Sequence, residues 1–136
     1  KSPMFKGLSL REVKRVVVMG AVREAPAGTR ILEEGETGRD LIVVLAGAAE
    51  IRSGESEQVL GAVQRGDVVG EMAFLSGHRR SASVVATAPV EYLEISAATL
   101  DKVRLRHPDV AAKVFYNMAR LLSTRLAETT DSLVGR

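Results

Sequence analysis

The 136-residue sequence contains no cysteine, no tryptophan and only two histidines, His78 and His107. The absence of cysteine excludes a disulfide framework, an iron–sulfur cluster and a thiolate nucleophile. Two histidines cannot build the three-histidine metal cage of many small β-barrel enzymes, so we expect no bound metal. No run of about 18 apolar residues could span a membrane, and no signal peptide is predicted. These features fit a reducing compartment, and we expect a cytoplasmic location or the cytoplasmic face of a membrane protein.

The sequence also lacks an excess of charge of either sign. It has 19 Lys and Arg residues against 17 Asp and Glu residues, which gives a formal net charge of +2. This balance does not indicate direct contact with nucleic acid. Hydrophobic residues make up 46% of the chain, which excludes a disordered chain. The length suits a single domain over residues 1–136, and a first residue other than Met is compatible with a piece of a longer protein.

Helical patterns lie at both ends of the sequence. Ser9 and Glu12 have the spacing of a capping box, which predicts a helix from Ser9 to Met19. The run Ser96 to Leu105 predicts a short helix, and Pro108 suits the first position of the next one.

An apolar stripe at helical spacing extends this last predicted helix to about Asp131. The stripe consists of Val110, Val114, Met118, Leu121, Leu122 and Leu126. We expect it to pack on the rest of the domain, and any remainder to form a dimer seam or a coupling surface.

Between these helices, short apolar runs alternate with turns that contain glycine. The predicted strands are Thr29–Leu32, Leu41–Leu45, Ala49–Arg52, Gln58–Val63, Ser83–Ala86 and Val90–Ile95. Leu41–Leu45 is almost wholly apolar and rich in β-branched residues, which predicts a buried strand. Gly61 weakens the strand pattern of Gln58–Val63. Several short strands at regular spacing predict an all-β sandwich or barrel.

The segment from Gly70 to Ala82 carries the most informative functional pattern. Gly70 allows close approach of a ligand, and a helix that begins near Glu71 offers unpaired N–H groups to an anion. Arg80 offers a planar fork of donors that matches two phosphate oxygens. The Glu71 carboxylate only accepts hydrogen bonds, so it suits a sugar hydroxyl. Together these residues predict a sugar phosphate site, although the spacing alone also fits a solvated turn.

The same segment resembles a known family. The run Gly70-Glu71-Met72-Ala73-Phe74-Leu75, followed four residues later by Arg80-Ser81-Ala82-Ser83-Val84, is similar to the phosphate-binding cassette of cyclic nucleotide-binding domains. This family includes catabolite activator proteins, regulatory subunits of cyclic-nucleotide-dependent kinases and cyclic-nucleotide-gated channels. The resemblance covers roughly Pro3 to Asp131. It implies an eight-stranded β-roll, a jelly-roll-like double-stranded β-helix, over about residues 21–95. One helix is expected before it and two helices after it, over about residues 96–131.

The resemblance also implies roles for individual residues. Glu71 is expected to bind the ribose 2′-hydroxyl, and Arg80 to pair with the cyclic phosphate. The other expected contacts are an apolar wall from Val69, Met72, Ala73 and Val84, and backbone groups of Gly70, Met72, Ala73, Ser81 and Ala82. Arg120 and Arg125 on the last helix are candidates to cap the base by stacking, with a solvated helix face as the alternative.

Two departures from the family pattern stand out. Arg79 replaces a proline that often precedes the cassette arginine, and Gly38-Arg39-Asp40 places an acidic residue one position late. We expect neither departure to touch the phosphate site directly. Ser81 stands where members selective for cyclic GMP tend to carry threonine, which favours cyclic AMP.

These interpretations predict a regulatory sensor domain and not an enzyme. The nucleotide is expected to reposition the C-terminal helices and so control an attached effector outside this chain, with a homo-oligomer through the last helix as a further expectation. Phosphodiester hydrolysis would need a metal cluster or an acid–base pair, which the sequence does not offer. The alternative is a β-roll interaction or structural domain that binds no nucleotide, or that senses another ligand such as heme through His78.

Overall fold

The computed structural model describes the backbone of residues 2–133 and the side chains of residues 2–128. Within these residues the chain forms eight strands: β1 (Ala21–Ala25), β2 (Arg30–Leu32), β3 (Leu41–Ala46), β4 (Ala48–Ser53), β5 (Gln58–Gln64), β6 (Val68–Val69), β7 (Ser83–Ala86) and β8 (Val90–Ile95). The helices are α1 (Leu10–Val17), α2 (Glu71–Ser76), α3 (Ala97–Arg106) and α4 (Pro108–Leu133), and a short 3₁₀ turn spans Pro3–Phe5.

The strands form two four-stranded antiparallel sheets. Their orders are β1-β8-β3-β6 and β2-β7-β4-β5, so strands that are distant in the chain lie side by side. The chain thus passes repeatedly from one sheet to the other, and this winding closes the β-roll. The predicted fold class, a β-roll with helices before and after it, is confirmed.

The first sheet is covered on both faces. In β3, Leu41 and Val43 pack in the cluster that contains the helices, whereas Ile42 and Val44 pack in the cluster between the two sheets. Successive side chains of a strand point to opposite faces, so a sheet that is buried on both sides needs an uninterrupted apolar strand. This explains the apolar run that predicted a buried strand.

The strand predictions match β2, β3, β4, β5, β7 and β8 to within about a residue at each end. The strand β1 was not predicted, because most of its residues are exposed and its Arg23 is paired with Glu94 of β8. In β5, Gly61 lies opposite Ile51 while Val59 lies opposite Arg52. Leu60 is therefore an extra residue in the ladder, a β-bulge beside the glycine that weakened the pattern.

The helix signals of the sequence are also visible in the structure. Ser9 and Glu12 form the capping box of α1, since each side chain accepts a hydrogen bond from the other residue's backbone N–H. The helix ends at Val17, two residues before the predicted Met19. At the start of α3, the Ser96 hydroxyl accepts a hydrogen bond from the backbone N–H of Thr99 at 3.0 Å.

The last helix begins at Pro108 as predicted and extends two residues past Asp131. Val110, Val114 and Met118 of its apolar stripe are fully buried, Leu121 and Leu122 are half-buried, and Leu126 is 68% exposed. The side-chain amide of Asn117 donates to the backbone carbonyls of Met4 and Lys6, both at 2.8 Å. Over the described residues, no helix is both long enough and apolar enough to cross a membrane.

Candidate functional site

A cavity of about 680 Å³ lies among the second sheet, the segment from β6 to β7 and α4. Its lining residues are Leu32, Ile51, Leu60, Ala62, Val69, Gly70, Glu71, Met72, Ala73, Arg80, Ser81, Ala82, Val84, Arg125 and Glu128. The sequence predicted eight ligand contacts between Val69 and Ala82, and all eight of these residues line the cavity. The fold thus gathers them around one hollow.

The two candidate base-capping arginines lie in different places. Arg125 lines the cavity, whereas Arg120 lines a neighbouring cleft of about 350 Å³ together with Lys6 and Asn117. The Arg120 guanidinium is positioned 5.8 Å from the centre of the Tyr116 ring. Arg125 also borders the cleft, so it is shared by both hollows.

Gly70 connects β6 to α2 in a left-handed conformation, with φ of +85°. A Cβ atom there would lie 2.8 Å from Nη1 of Arg80 and 2.9 Å from the carbonyl oxygen of Asp40. Both the backbone angle and the lack of space require glycine. The absence of a side chain lets the cassette backbone, Arg80 and the start of β3 come together.

Arg80 is held by backbone carbonyls and is only 7% exposed. Its Nη1 donates to the carbonyl of Gly70 at 3.3 Å, and its Nη2 donates to the carbonyl of Asp40 at 3.0 Å. Burial lowers the pKa of Arg80, and the nearby charges of Asp40 and Glu94 oppose this change. The unperturbed pKa of arginine is so high that the guanidinium stays charged near neutral pH.

The expectation that Gly38-Arg39-Asp40 does not touch the phosphate site is wrong. The carbonyl of Asp40 accepts from Arg80, and a Cβ on Gly38 would lie 3.3 Å from Nη2 of Arg80. This contact could not be read from residue types because it uses backbone atoms. The other departure, Arg79, donates through Nη1 to the carbonyl of Gly35 at 2.9 Å and remains exposed.

Glu71 is the first residue of α2, and only 3% of it is exposed. Its Oε2 forms an ion pair with Nη1 of Arg125, which reaches in from α4. The same guanidinium donates through Nη2 to the carbonyl of Val68 at 2.8 Å. Burial lowers the pKa of Arg125, and Asp67 and Glu128 oppose this change.

An apolar row crosses the second sheet beneath the cavity. Leu32 of β2 lies opposite Val84 of β7, which in turn lies opposite Ile51 of β4. Leu60 and Ala62 of β5 add to this floor. Only Val84 was expected from the sequence, and the β-bulge at Leu60 interrupts the regular alternation of β5 that could have identified the others. A cavity that combines an apolar floor with a cation and a carboxylate suits a ring that carries a sugar and a phosphate.

His78 lies exposed in the loop after α2, where its backbone N–H donates to the Ser76 hydroxyl at 3.1 Å. Among the residues that the structure describes, no group of three or more His, Asp or Glu side chains is placed to hold a metal ion.

Known proteins share this fold. The sequence model described as "Cyclic nucleotide-binding domain" matches residues 22–107. A solved cyclic nucleotide-binding domain from Methylobacillus flagellatus superimposes with a TM-score of 0.87 at 28% identity, over 96% of this chain and 75% of the other. The Catabolite Activator Protein of Thermus thermophilus superimposes with a TM-score of 0.86 at 32% identity, over 97% of this chain and 62% of the other.

Two curated relatives show how much longer such proteins are. The cyclic AMP receptor protein of Thermus thermophilus is 33% identical over 93% of this chain and 58% of its own length. The cAMP-dependent protein kinase regulatory subunit of Mycosarcoma maydis is 29% identical over 74% of this chain and 19% of its own length. This chain therefore corresponds to a part of these relatives. Since the family model matches more than half of its residues, the chain belongs to the cyclic nucleotide-binding domain family, a family of regulatory ligand-binding domains.

Proposed function

We propose that this chain is a regulatory sensor that binds cyclic AMP in preference to cyclic GMP in the cavity between the β-roll and α4. The observation that carries the proposal is that Arg80 and Glu71, both buried, line the same cavity. A fixed cation and a hydrogen-bond acceptor in one partly apolar cavity complement an anionic phosphate and a ribose hydroxyl.

In this proposal Arg80 pairs with the cyclic phosphate and Glu71 accepts from the ribose 2′-hydroxyl. The guanidinium is preorganised because the Gly70 and Asp40 carbonyls already hold it. Preorganised donors lose little freedom when the ligand binds. Val69, Met72, Ala73, Ser81 and Ala82 complete the cradle, and Arg125 or Arg120 remains a candidate to cap the base.

The preference for cyclic AMP is supported by Ser81 and by two relatives. Ser81 lines the cavity and is smaller, by one methyl group, than the threonine expected for guanine recognition. The Thermus relative is named a cyclic AMP receptor protein, and the Mycosarcoma relative is a cAMP-dependent protein kinase regulatory subunit.

Binding is proposed to reposition the helices after β8. Arg125 and Glu128 of α4 line the cavity together with the cassette, so a ligand there contacts both parts of the molecule. A ligand shifts such an equilibrium only by the difference in its affinity for the two arrangements. We propose that residues 1–136 act as one domain in the cytoplasm. It would control an effector outside this chain and would associate with a second copy through α4.

The test is isothermal titration calorimetry of the chain with cyclic AMP and with cyclic GMP. Arg80→Ala should weaken cyclic AMP binding by tens to hundreds of fold, about 2–4 kcal/mol, because a charge-assisted contact is lost. Arg79→Ala is the matched control, since this neighbouring arginine is exposed and does not line the cavity. Unchanged affinity in Arg80→Ala would reject its role. Absence of binding to either nucleotide would leave a structural domain or a sensor of another ligand.

A further inference from the structure

The ion pair between Glu71 and Arg125 joins the cassette to the last helix. Glu71 is nearly inaccessible to water, whereas the Arg125 side chain is partly exposed and comes from the opposite wall of the cavity. A buried carboxylate needs a neutralising partner, since otherwise it binds a proton or destabilises its surroundings. The charge of Glu71 therefore depends on what faces it.

The charged groups around Glu71 come from three parts of the fold. Arg80 lines the same cavity, but its guanidinium donates to the carbonyls of Gly70 and Asp40. Arg125 and Glu128 face the cavity from α4, and the charge of Asp67 acts on Arg125. The basic group in direct contact with the Glu71 carboxylate is Arg125.

We propose that Arg125 is a positioning residue for nucleotide recognition, acting through Glu71. It neutralises the Glu71 carboxylate and holds Oε2, which leaves Oε1 to accept a hydrogen bond from the ribose hydroxyl. This inference rests on the function proposed above. It assigns Arg125 a contact with Glu71 as its main role, in place of stacking on the base.

The geometry gives this role a physical basis. A carboxylate has two oxygens with about four acceptor positions, so one guanidinium does not saturate it. The second anchor of Arg125, on the carbonyl of Val68, fixes the guanidinium against the strand that leads into the cassette. An unpaired anionic Glu71 would repel the cyclic phosphate that Arg80 attracts. Arg125 removes this repulsion without occupying the whole carboxylate.

The experiment is a double-mutant cycle with Arg125→Gln and Glu71→Gln, read by cyclic AMP affinity. Arg125→Gln alone should weaken binding about tenfold. The neutral amide of Glu71→Gln still offers a carbonyl acceptor, so the double variant should bind as well as Glu71→Gln alone and better than Arg125→Gln. If Arg125 instead acts on the base, its substitution would weaken binding by the same factor in both backgrounds, and the inference would be rejected.

The pH dependence of cyclic AMP affinity distinguishes this role of Arg125 from a purely structural one. In Arg125→Gln a proton can replace the guanidinium as the neutralising partner of Glu71. The defect relative to the unmodified chain should therefore shrink between about pH 8 and about pH 5. A defect of constant size over this range would contradict the inference.

Lys113→Gln is the matched control, because it removes another basic residue of α4 that forms an ion pair, with Glu12 and away from the cavity. It should leave cyclic AMP affinity and its pH profile unchanged, and a similar defect there would assign the effect to helix stability. Failure of the unmodified chain to bind any cyclic nucleotide would reject the proposed function. If the unmodified chain binds cyclic AMP but the double-mutant cycle shows no coupling between the two substitutions, only this inference would be rejected.

Discussion

The two halves of α4 are held in different ways. In residues 108–118, apolar side chains such as Val110 and Met118 are fully buried, and Asn117 ties the helix to the N-terminal turn. In the second half, Leu126 is exposed, and Arg125 reaches the cassette through polar contacts. One helix therefore combines an apolar anchor with an arm that contacts the cavity.

A ligand is expected to act on the two halves of α4 to different extents. Apolar burial is strong and does not depend on what occupies the cavity, so the first half is expected to stay packed on the domain, while the second half moves most when the helices are repositioned. The polar contacts of the second half involve Glu71, which the proposed function assigns to the ribose hydroxyl. Substitutions in α4 and at the residues it contacts test this contrast.

The largest effect is expected from Met118→Ala. The side chain of this α4 residue is fully buried in the cluster that covers the first sheet. Its removal leaves a cavity, so the free energy of unfolding should fall by about 2–5 kcal/mol. Urea unfolding followed by circular dichroism measures this change. A loss below about 1 kcal/mol would show that the first half of α4 is not the anchor.

A smaller loss is expected from Asn117→Ala, which leaves two backbone carbonyls without their amide donor. The free energy of unfolding should decrease by about 1–3 kcal/mol, because unsatisfied buried polar groups are costly. Hydrogen exchange should show loosening of the turn at Pro3–Phe5, whereas α2 should stay protected. Loosening of both segments would contradict a local anchor.

A still smaller effect concerns the exposed polar link between α1 and α4. The pKa of Glu12 is lowered, chiefly because the Ser9 N–H donates to its carboxylate and then because Lys113 pairs with it. A lowered carboxyl pKa stabilises the fold above the unfolded value of about 4.5, and this contribution is lost as pH falls through the folded value. The unmodified chain should therefore lose more stability than Glu12→Gln when unfolding is compared at pH 6 and at about pH 3.5. Equal losses would show that the link does not contribute.

The smallest effect is expected from Leu126→Ala. Because this side chain is mostly exposed, the free energy of unfolding should change by less than about 0.5 kcal/mol in dilute solution. Sedimentation of the same variant at high concentration tests the proposed association through α4. Reduced self-association there would identify the exposed half as a contact between copies, and a large loss of stability in dilute protein would contradict the comparison.

Much of the fold was predictable because local signals agreed with the final structure. The capping box at Ser9, the proline that begins α4 and the apolar run of β3 are each determined by short-range chemistry. The strand β1 was missed because its exposed Arg23 and Glu24 interrupt the apolar pattern. Its place is set by pairing with β8, about 70 residues later in the chain, which no local pattern reports.

The cassette was easier to predict than its surroundings. Glu71 and Arg80 were assigned from donor and acceptor chemistry, and the structure places both at one cavity. The ion pair of Glu71 with Arg125 and the contact of Asp40 with Arg80 were not predicted. The first joins residues more than 50 positions apart, and the second uses a backbone carbonyl, so neither is encoded by residue spacing.

Gly70 has a consequence for protein engineering and for evolution. The missing methyl group leaves room for Arg80 and for the Asp40 carbonyl at the same point, so even alanine would collide with both. A silenced sensor could thus be made by adding a single carbon atom, with every ionisable group of the pocket retained. For the same reason, evolution would not tolerate substitution of Gly70, even if the surrounding surface residues vary freely.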